Sequence, residues 1–105
     1  MFYRYEIVSN DQRVGLLTGL DDLFTEREVW SLIGPFELYL PGPDVSMSDT
    51  RSYFTDDGNR KFRKAIRRII KRVLDKGLHV DIITKDTLDD ILYEDKYQAV
   101  VLLTN

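Results

Sequence analysis

Apolar and polar positions alternate from Phe2 to Val8. Tyr3, Tyr5 and Ile7 therefore share one side of an extended segment, and Phe2, Arg4 and Glu6 the other. Ser9-Asn10-Asp11-Gln12 supplies turn chemistry, because Asn and Asp tolerate left-handed backbone. Residues 13–18 then read as the return strand of an N-terminal β-hairpin. Thr25-Glu26-Arg27-Glu28 has the pattern of a capping box: the Thr25 hydroxyl accepts from the Glu28 amide, and the Glu28 carboxylate accepts from the Thr25 amide. Phe24 and Val29 stand at the staple positions around it. The pattern predicts a short helix over about residues 26–33, closed by Gly34 and Pro35. A short strand over 36–40 follows.

The clearest period lies further on. Phe62, Ile66, Ile69, Ile70 and Val73 form one stripe at helical spacing and predict a long amphipathic helix over about 56–76. Thr55 is a suitable N-cap, Asp56 and Asp57 suit the positive end of the helix dipole, and Gly77 suits the C-terminal stop. Burying the five stripe residues contributes roughly 7–15 kcal/mol of gross hydrophobic free energy. Residues 79–84 read as a strand, about 86–93 as a short helix carrying Leu88, Ile91 and Leu92, and 97–103 as a strand. The continuous apolar run of that last strand suits a central position buried on both faces. Two arrangements fit this region. A strand–helix–strand unit makes a parallel pair, whereas Ile91–Tyr93 against Tyr97–Ala99 makes a hairpin around Glu94-Asp95-Lys96. Two prolines, a glycine and small polar residues between Leu40 and Thr50 predict an irregular loop at about 41–51. The expectation is one α+β domain over residues 1–105: an N-terminal β-hairpin, a long helix packed on a mixed β-sheet, and short helices at about 26–33 and 86–93.

Composition narrows the function classes. Of 105 residues, 43% are hydrophobic and 31% charged, an ordinary globular balance that excludes disorder. Cysteine is absent, which excludes disulfides, thiolate metal sites and a cysteine nucleophile. The longest aliphatic run, Ala99–Leu103, falls far short of the ~20 residues of a membrane span. An acid at position 6 precedes any apolar run, so no signal peptide is read. A cytoplasmic protein without membrane contact is expected.

Charge changes the picture more. The net charge of -3 hides a strong segregation: residues 60–76 hold nine of the 15 basic residues and one acid, for a net +8, against -11 elsewhere. At 100° per residue, Arg60, Lys64, Arg67, Arg68 and Lys71 gather opposite the apolar stripe, forming a basic ridge ~30 Å long. Such a ridge is a docking surface for an acidic protein partner or for phosphates. The expected function is a small non-enzymatic interaction or regulatory module, an accessory factor or inhibitor, that docks through these five residues. Nucleic acid is the alternative partner. Self-association is a further outcome of the charge asymmetry.

Catalytic signals are sparse. His79 is the single histidine, and the chain lacks GxGxxG, GxxxxGK[ST] and GxSxG. No catalytic residue, metal or cofactor is assigned. The acidic pairs Asp21-Asp22, Asp56-Asp57, Asp89-Asp90 and Glu94-Asp95 are explained by capping and solvation. Trp30, Phe36 and Tyr39 suit core packing, while Tyr39 and Tyr53 flank the loop. The order of Arg4, Ser52-Tyr53-Phe54-Thr55 and Tyr93-Glu94-Asp95 resembles the landmarks of ADP-ribosyltransferases. That resemblance implies an enzyme in which Arg4 holds nicotinamide–ribose, the segment around Tyr53 lines the pocket and Glu94 activates the acceptor.

Overall fold

The computed structural model describes residues 1–37 and 50–102. β1 (Phe2–Ser9) turns through Asn10, at φ 55°, into β2 (Gln12–Gly15), with Glu6 opposite Gly15 and Ser9 opposite Gln12. The return strand is shorter than the expected 13–18. Leu16 and Leu20 are buried instead, and Gly19 packs so closely that a Cβ there would lie 2.8 Å from Val14 and 3.0 Å from Ile7.

A one-turn helix, α1 (Leu20–Leu23), leads into α2 (Glu26–Glu37). The capping box forms: the Thr25 amide donates to Glu28 Oε1 at 3.1 Å, and the Glu28 amide to Thr25 Oγ1 at 3.3 Å. Phe24 and Val29 are both buried. The helix does not stop at Gly34-Pro35 but runs through both to Glu37, so Phe36 is helical rather than the start of a strand. Proline removes one helical N–H. Phe36 offsets that loss, because the extra turn buries its ring 4.9 Å from Phe62 and 6.0 Å from Phe54.

β3 (Thr50–Phe54) takes in the last two residues assigned to the expected loop, whose remainder, 41–49, lies outside the described residues, as do 38–40 of the expected short strand. The long helix is present in two parts, α3 (Asp56–Lys61) and α4 (Arg63–Asp75), separated at Phe62 with φ −98° and ψ 13°. Bonds from the Phe62 amide to the Gly58 carbonyl and from the Ile66 amide to the Phe62 carbonyl carry the helix across that joint. Phe62, Ile66, Ile69 and Val73 are buried, and Ile70 half-buried, as the stripe requires. Gly77, at φ +82°, ends the segment in the left-handed region.

β4 (His79–Lys85) follows, then β5 (Ile91–Glu94) and β6 (Gln98–Leu102). The short helix expected at 86–93 is absent; residues 91–94 form the hairpin instead, with Tyr93 opposite Val100 and Glu94 opposite Ala99. Asp95 fixes the turn. Its carboxylate accepts from the Tyr97 and Gln98 amides at 2.8 and 2.9 Å and from the Tyr93 hydroxyl at 2.7 Å. Without a crossover helix no parallel pair arises among the described residues. Every strand pairing among them is antiparallel, where a mixed sheet was expected.

β4 covers one edge of β1 along its whole length, so β2 and β3 divide the other; β6 lies beyond β3 and β5 beyond β6. The C-terminal strand is thus inside the sheet, and Gln98–Val101 are all buried. The helices cover one face, packing on Tyr5, Ile7 and Phe54. The junction of α3 with the last hairpin is tight. The Thr55 amide donates to the Tyr97 carbonyl at 3.1 Å, and its hydroxyl donates to the Lys96 carbonyl at 2.5 Å while accepting from the Gly58 amide at 3.1 Å. A Cβ at Gly58 would stand 2.0 Å from the Tyr97 oxygen.

Candidate functional site

α2 and α4 run antiparallel, since Arg72 reaches Glu28 at 2.5 Å and Arg68 reaches the Ser31 hydroxyl at 3.1 Å. With the stripe of α4 turned into the core, its opposite side points away from the sheet. Arg60, Lys64, Arg67, Arg68 and Lys71 are all exposed there, with Arg63 beside them. Arg60 makes one contact with an acid, 3.4 Å from Asp57 in a pair exposed on both sides. Arg68 binds a neutral hydroxyl and keeps its charge uncompensated. Lys64, Arg67 and Lys71 form neither an ion pair nor a hydrogen bond among the described residues.

The flank toward α2 is different. Glu28 takes Arg72 on one oxygen and both Thr25 groups on the other, and the hydrogen bonds from the Thr25 amide and hydroxyl, then Arg72, hold its carboxyl below the ordinary value. Arg72 and Lys76 also stand 5.3 and 4.8 Å from the Phe24 ring centre. These two cations secure helix packing, as does the Arg68 bond to Ser31; Lys64, Arg67 and Lys71 make no such contact among the described residues.

A second polar cluster occupies the sheet face turned away from the helices. Glu6, 4% exposed, accepts from Arg4 at 2.7 Å and lies 3.4 Å from Arg13. Arg13 continues to Asp81 at 2.7 Å, which also meets His79 at 2.8 Å. Arg4 donates once more, to the Ser52 carbonyl at 3.1 Å. The cluster joins β1, β2, β3 and β4. Burial pushes the Glu6 carboxyl up, but the hydrogen bond and charge of Arg4, with Arg13 behind it, outweigh burial and hold it below the ordinary glutamate value. Sequence reading missed the cluster because its members are near one another only through strand pairing.

Arg4, Tyr53 and Glu94 fall on this same face. Arg4 and Tyr53 adjoin the Tyr3–Phe54 pair, Tyr53 is opposite Ala99, and Ala99 is opposite Glu94. The row crosses four strands, so Arg4 and Glu94 are separated by three strand spacings, ~14 Å. Arg4 is already engaged by Glu6 and Ser52, Tyr53 is buried, and Glu94 is exposed. Arg4 and Tyr53 are neighbours here, whereas Glu94 stands apart from both.

One hollow opens between α1 and α2. It measures about 390 Å³ and is lined by Asp21, Phe24, Glu26, Val29, Trp30 and Ile33. Trp30 is 57% exposed at its edge and does not join the core that its sequence neighbours suggested. None of the five ridge residues lines it, and it lies on the side of α2 away from α4. Among the described residues no helix is long and apolar enough to cross a membrane. Comparisons of the chain with protein-family models, with curated proteins and with solved structures found no match.

Proposed function

We propose that this protein is a small non-enzymatic interaction module that docks through the outward face of α3 and α4 onto an acidic surface of a partner protein, in a cytoplasmic setting. The observation that carries this reading is the contrast in pairing: Lys64, Arg67 and Lys71 stand exposed without an ion pair among the described residues, although the chain outside 60–76 carries a net -11. A solvated face neutralised from within would show those acids folded over it. Open cations of one sign instead steer a complementary surface and raise its rate of encounter. The test is capture of partners by wild type and by Arg67→Glu/Arg68→Glu/Lys71→Glu. Partners lost from the triple variant and released by salt support docking; identical sets remove the ridge from the function.

The same exposed ridge supports nucleic-acid binding as a second reading. Binding of that kind is electrostatic, with a log–log salt slope near ~-0.9 per phosphate neutralised on duplex DNA. The acid-rich remainder restricts a polyanion to a narrow line of approach. A mobility shift with DNA or RNA at about 50 mM salt separates the two readings.

A further inference from the structure

The sheet ends at β4 in an uncovered strand. β4 pairs with β1 from His79 to Lys85, and no described strand pairs with its outer edge. In an antiparallel ladder, alternate residues of β4 direct their N–H and C=O groups away from β1, where another chain can meet them. The helix layer leaves room for that chain. Val80 packs into the helix-side core; Ile82 shares its face, opposite Tyr5, yet is 60% exposed. α4, which packs on β4, forms the other wall. Its α2 flank holds Arg68 and Arg72, so at 100° per residue the opposite flank carries Arg63, Arg67, Ile70 and Leu74. Leu74 is exposed and Ile70 half-buried. Tyr5 reaches from β1 to Asn59 at the head of this flank. Burial, then Tyr3, pushes the Tyr5 hydroxyl up, while the Asn59 bond and the charges of Arg63 and Arg67 oppose the rise. The chemistry along the angle is uneven. α4 and β4 run in opposite directions about the Gly77 turn, so Leu74 lies over the Val80 end and Arg63 and Arg67 over the Thr84 end. Exposed Lys85 extends the basic end. Asp81, on the face turned away from the helices, is already held by Arg13 and His79.

We infer that the acidic partner reaches this protein as an extended segment that adds to the outer edge of β4 as a further strand, with apolar side chains beside Val80 and Ile82 and carboxylates beside Thr84 and Lys85, beneath Arg63 and Arg67. This rests on the docking function proposed above and names the form its partner takes. Backbone hydrogen bonds along the edge supply affinity, and the alternating side chains supply selection. Charge selects against a second copy of this chain as the occupant. Antiparallel pairing of β4 with its own copy puts both helix layers on one side of the joined sheet. Two segments of net +8 would then lie side by side.

A millimolar titration of the full chain with the peptide acetyl-Glu-Glu-Thr-Val-Thr-Val-Thr-amide, followed by NMR, tests this. Run antiparallel to β4, the peptide sets Glu opposite Lys85 and Thr84, and Val opposite Ile82 and Val80. Shifts and slowed exchange are expected at the amides of 79–85. A peptide with Lys in place of both Glu is expected to bind at least about tenfold more weakly. N-methylation of one alternate set of peptide amides is expected to abolish binding and of the other set to spare it, since one set faces β4. Ile82→Glu, at an exposed position, is expected to weaken binding by about tenfold or more while circular dichroism stays unchanged. Shifts confined to α3 and α4, equal binding of both methylated sets, or no shift at all overturn the strand addition. If Ile82→Glu still captures the partners that Arg67→Glu/Arg68→Glu/Lys71→Glu loses, the strand addition is overturned and the docking function stands without it. A wild type that sediments as a dimer with its β4 amides already protected also overturns it, since a second copy then fills the edge.

Discussion

The two charged regions of this molecule use charge in opposite ways. On the sheet face turned away from the helices, Arg4, Glu6, Arg13 and Asp81 form a chain in which every charge has a partner within 3.4 Å, and His79 adjoins Asp81. On the helix layer, Lys64, Arg67 and Lys71 have none among the described residues. The difference follows from burial. A carboxylate as enclosed as Glu6 must be paired, or it loses its hydration for nothing. An exposed lysine has no such need and remains available. Charge density alone therefore does not mark the charges that hold the fold; the pairing does.

That contrast breaks most sharply at Glu6. Glu6→Ala leaves the half-buried Arg4 guanidinium without its carboxylate and should cost about 3 kcal/mol in urea unfolding. A change below about 0.5 kcal/mol would make the sheet cluster as dispensable as a surface pair. The pH dependence sharpens the same point. Because the folded Glu6 carboxyl lies below the ordinary glutamate value, its stabilisation is fully present above that ordinary value and is lost as pH falls through the folded one. Glu6→Gln should flatten the acid limb of the stability curve, and a limb of unchanged steepness would assign acid unfolding to other carboxylates.

Glu28 stands between the two extremes. Glu28→Ala removes the bonds that Thr25 donates and the Arg72 contact together, while the Glu28 amide keeps its bond to the Thr25 hydroxyl, and should lower the urea midpoint by less than Glu6→Ala does. Arg72→Ala separates these contributions, since it leaves the cap intact. The smallest effect is expected on the ridge. Reversing Arg67, Arg68 and Lys71 should alter stability by less than about 1 kcal/mol in the same assay. A large loss would show that these side chains hold the fold and are not held in reserve.

Local chemistry made much of this fold legible in advance. The Thr25 capping box, the Thr55 cap, the apolar stripe and the ridge opposite it are all set by residues within a few turns of one another. Non-local forces decided the rest. Pro35 signals a helix end, but burial of Phe36 against Phe54 and Phe62 carries α2 through it. Residues 86–93 have helix-compatible apolar spacing, yet pairing with β6 and the Asp95 turn makes 91–94 a strand. β3 is a five-residue strand beside loop-like composition, and its pairing with β6 along its length and with β1 at Phe54 identifies it. The hollow depends on how α1 meets α2, and the Glu6 cluster depends on three strand pairings, so neither leaves a periodic trace in the sequence.

The Thr55 junction has a consequence in time. The carbonyl that Thr55 grips lies 41 residues further along the chain. During synthesis the start of α3 is exposed to solvent before residues 96 and 97 exist, and at ~5–20 residues per second that interval lasts roughly 2–8 s. The N-terminal hairpin and the α2 capping box can form while the chain is growing. The seating of Gly58 against the Tyr97 backbone cannot, so the start of α3 gains its bonds to the last hairpin only after that hairpin has emerged.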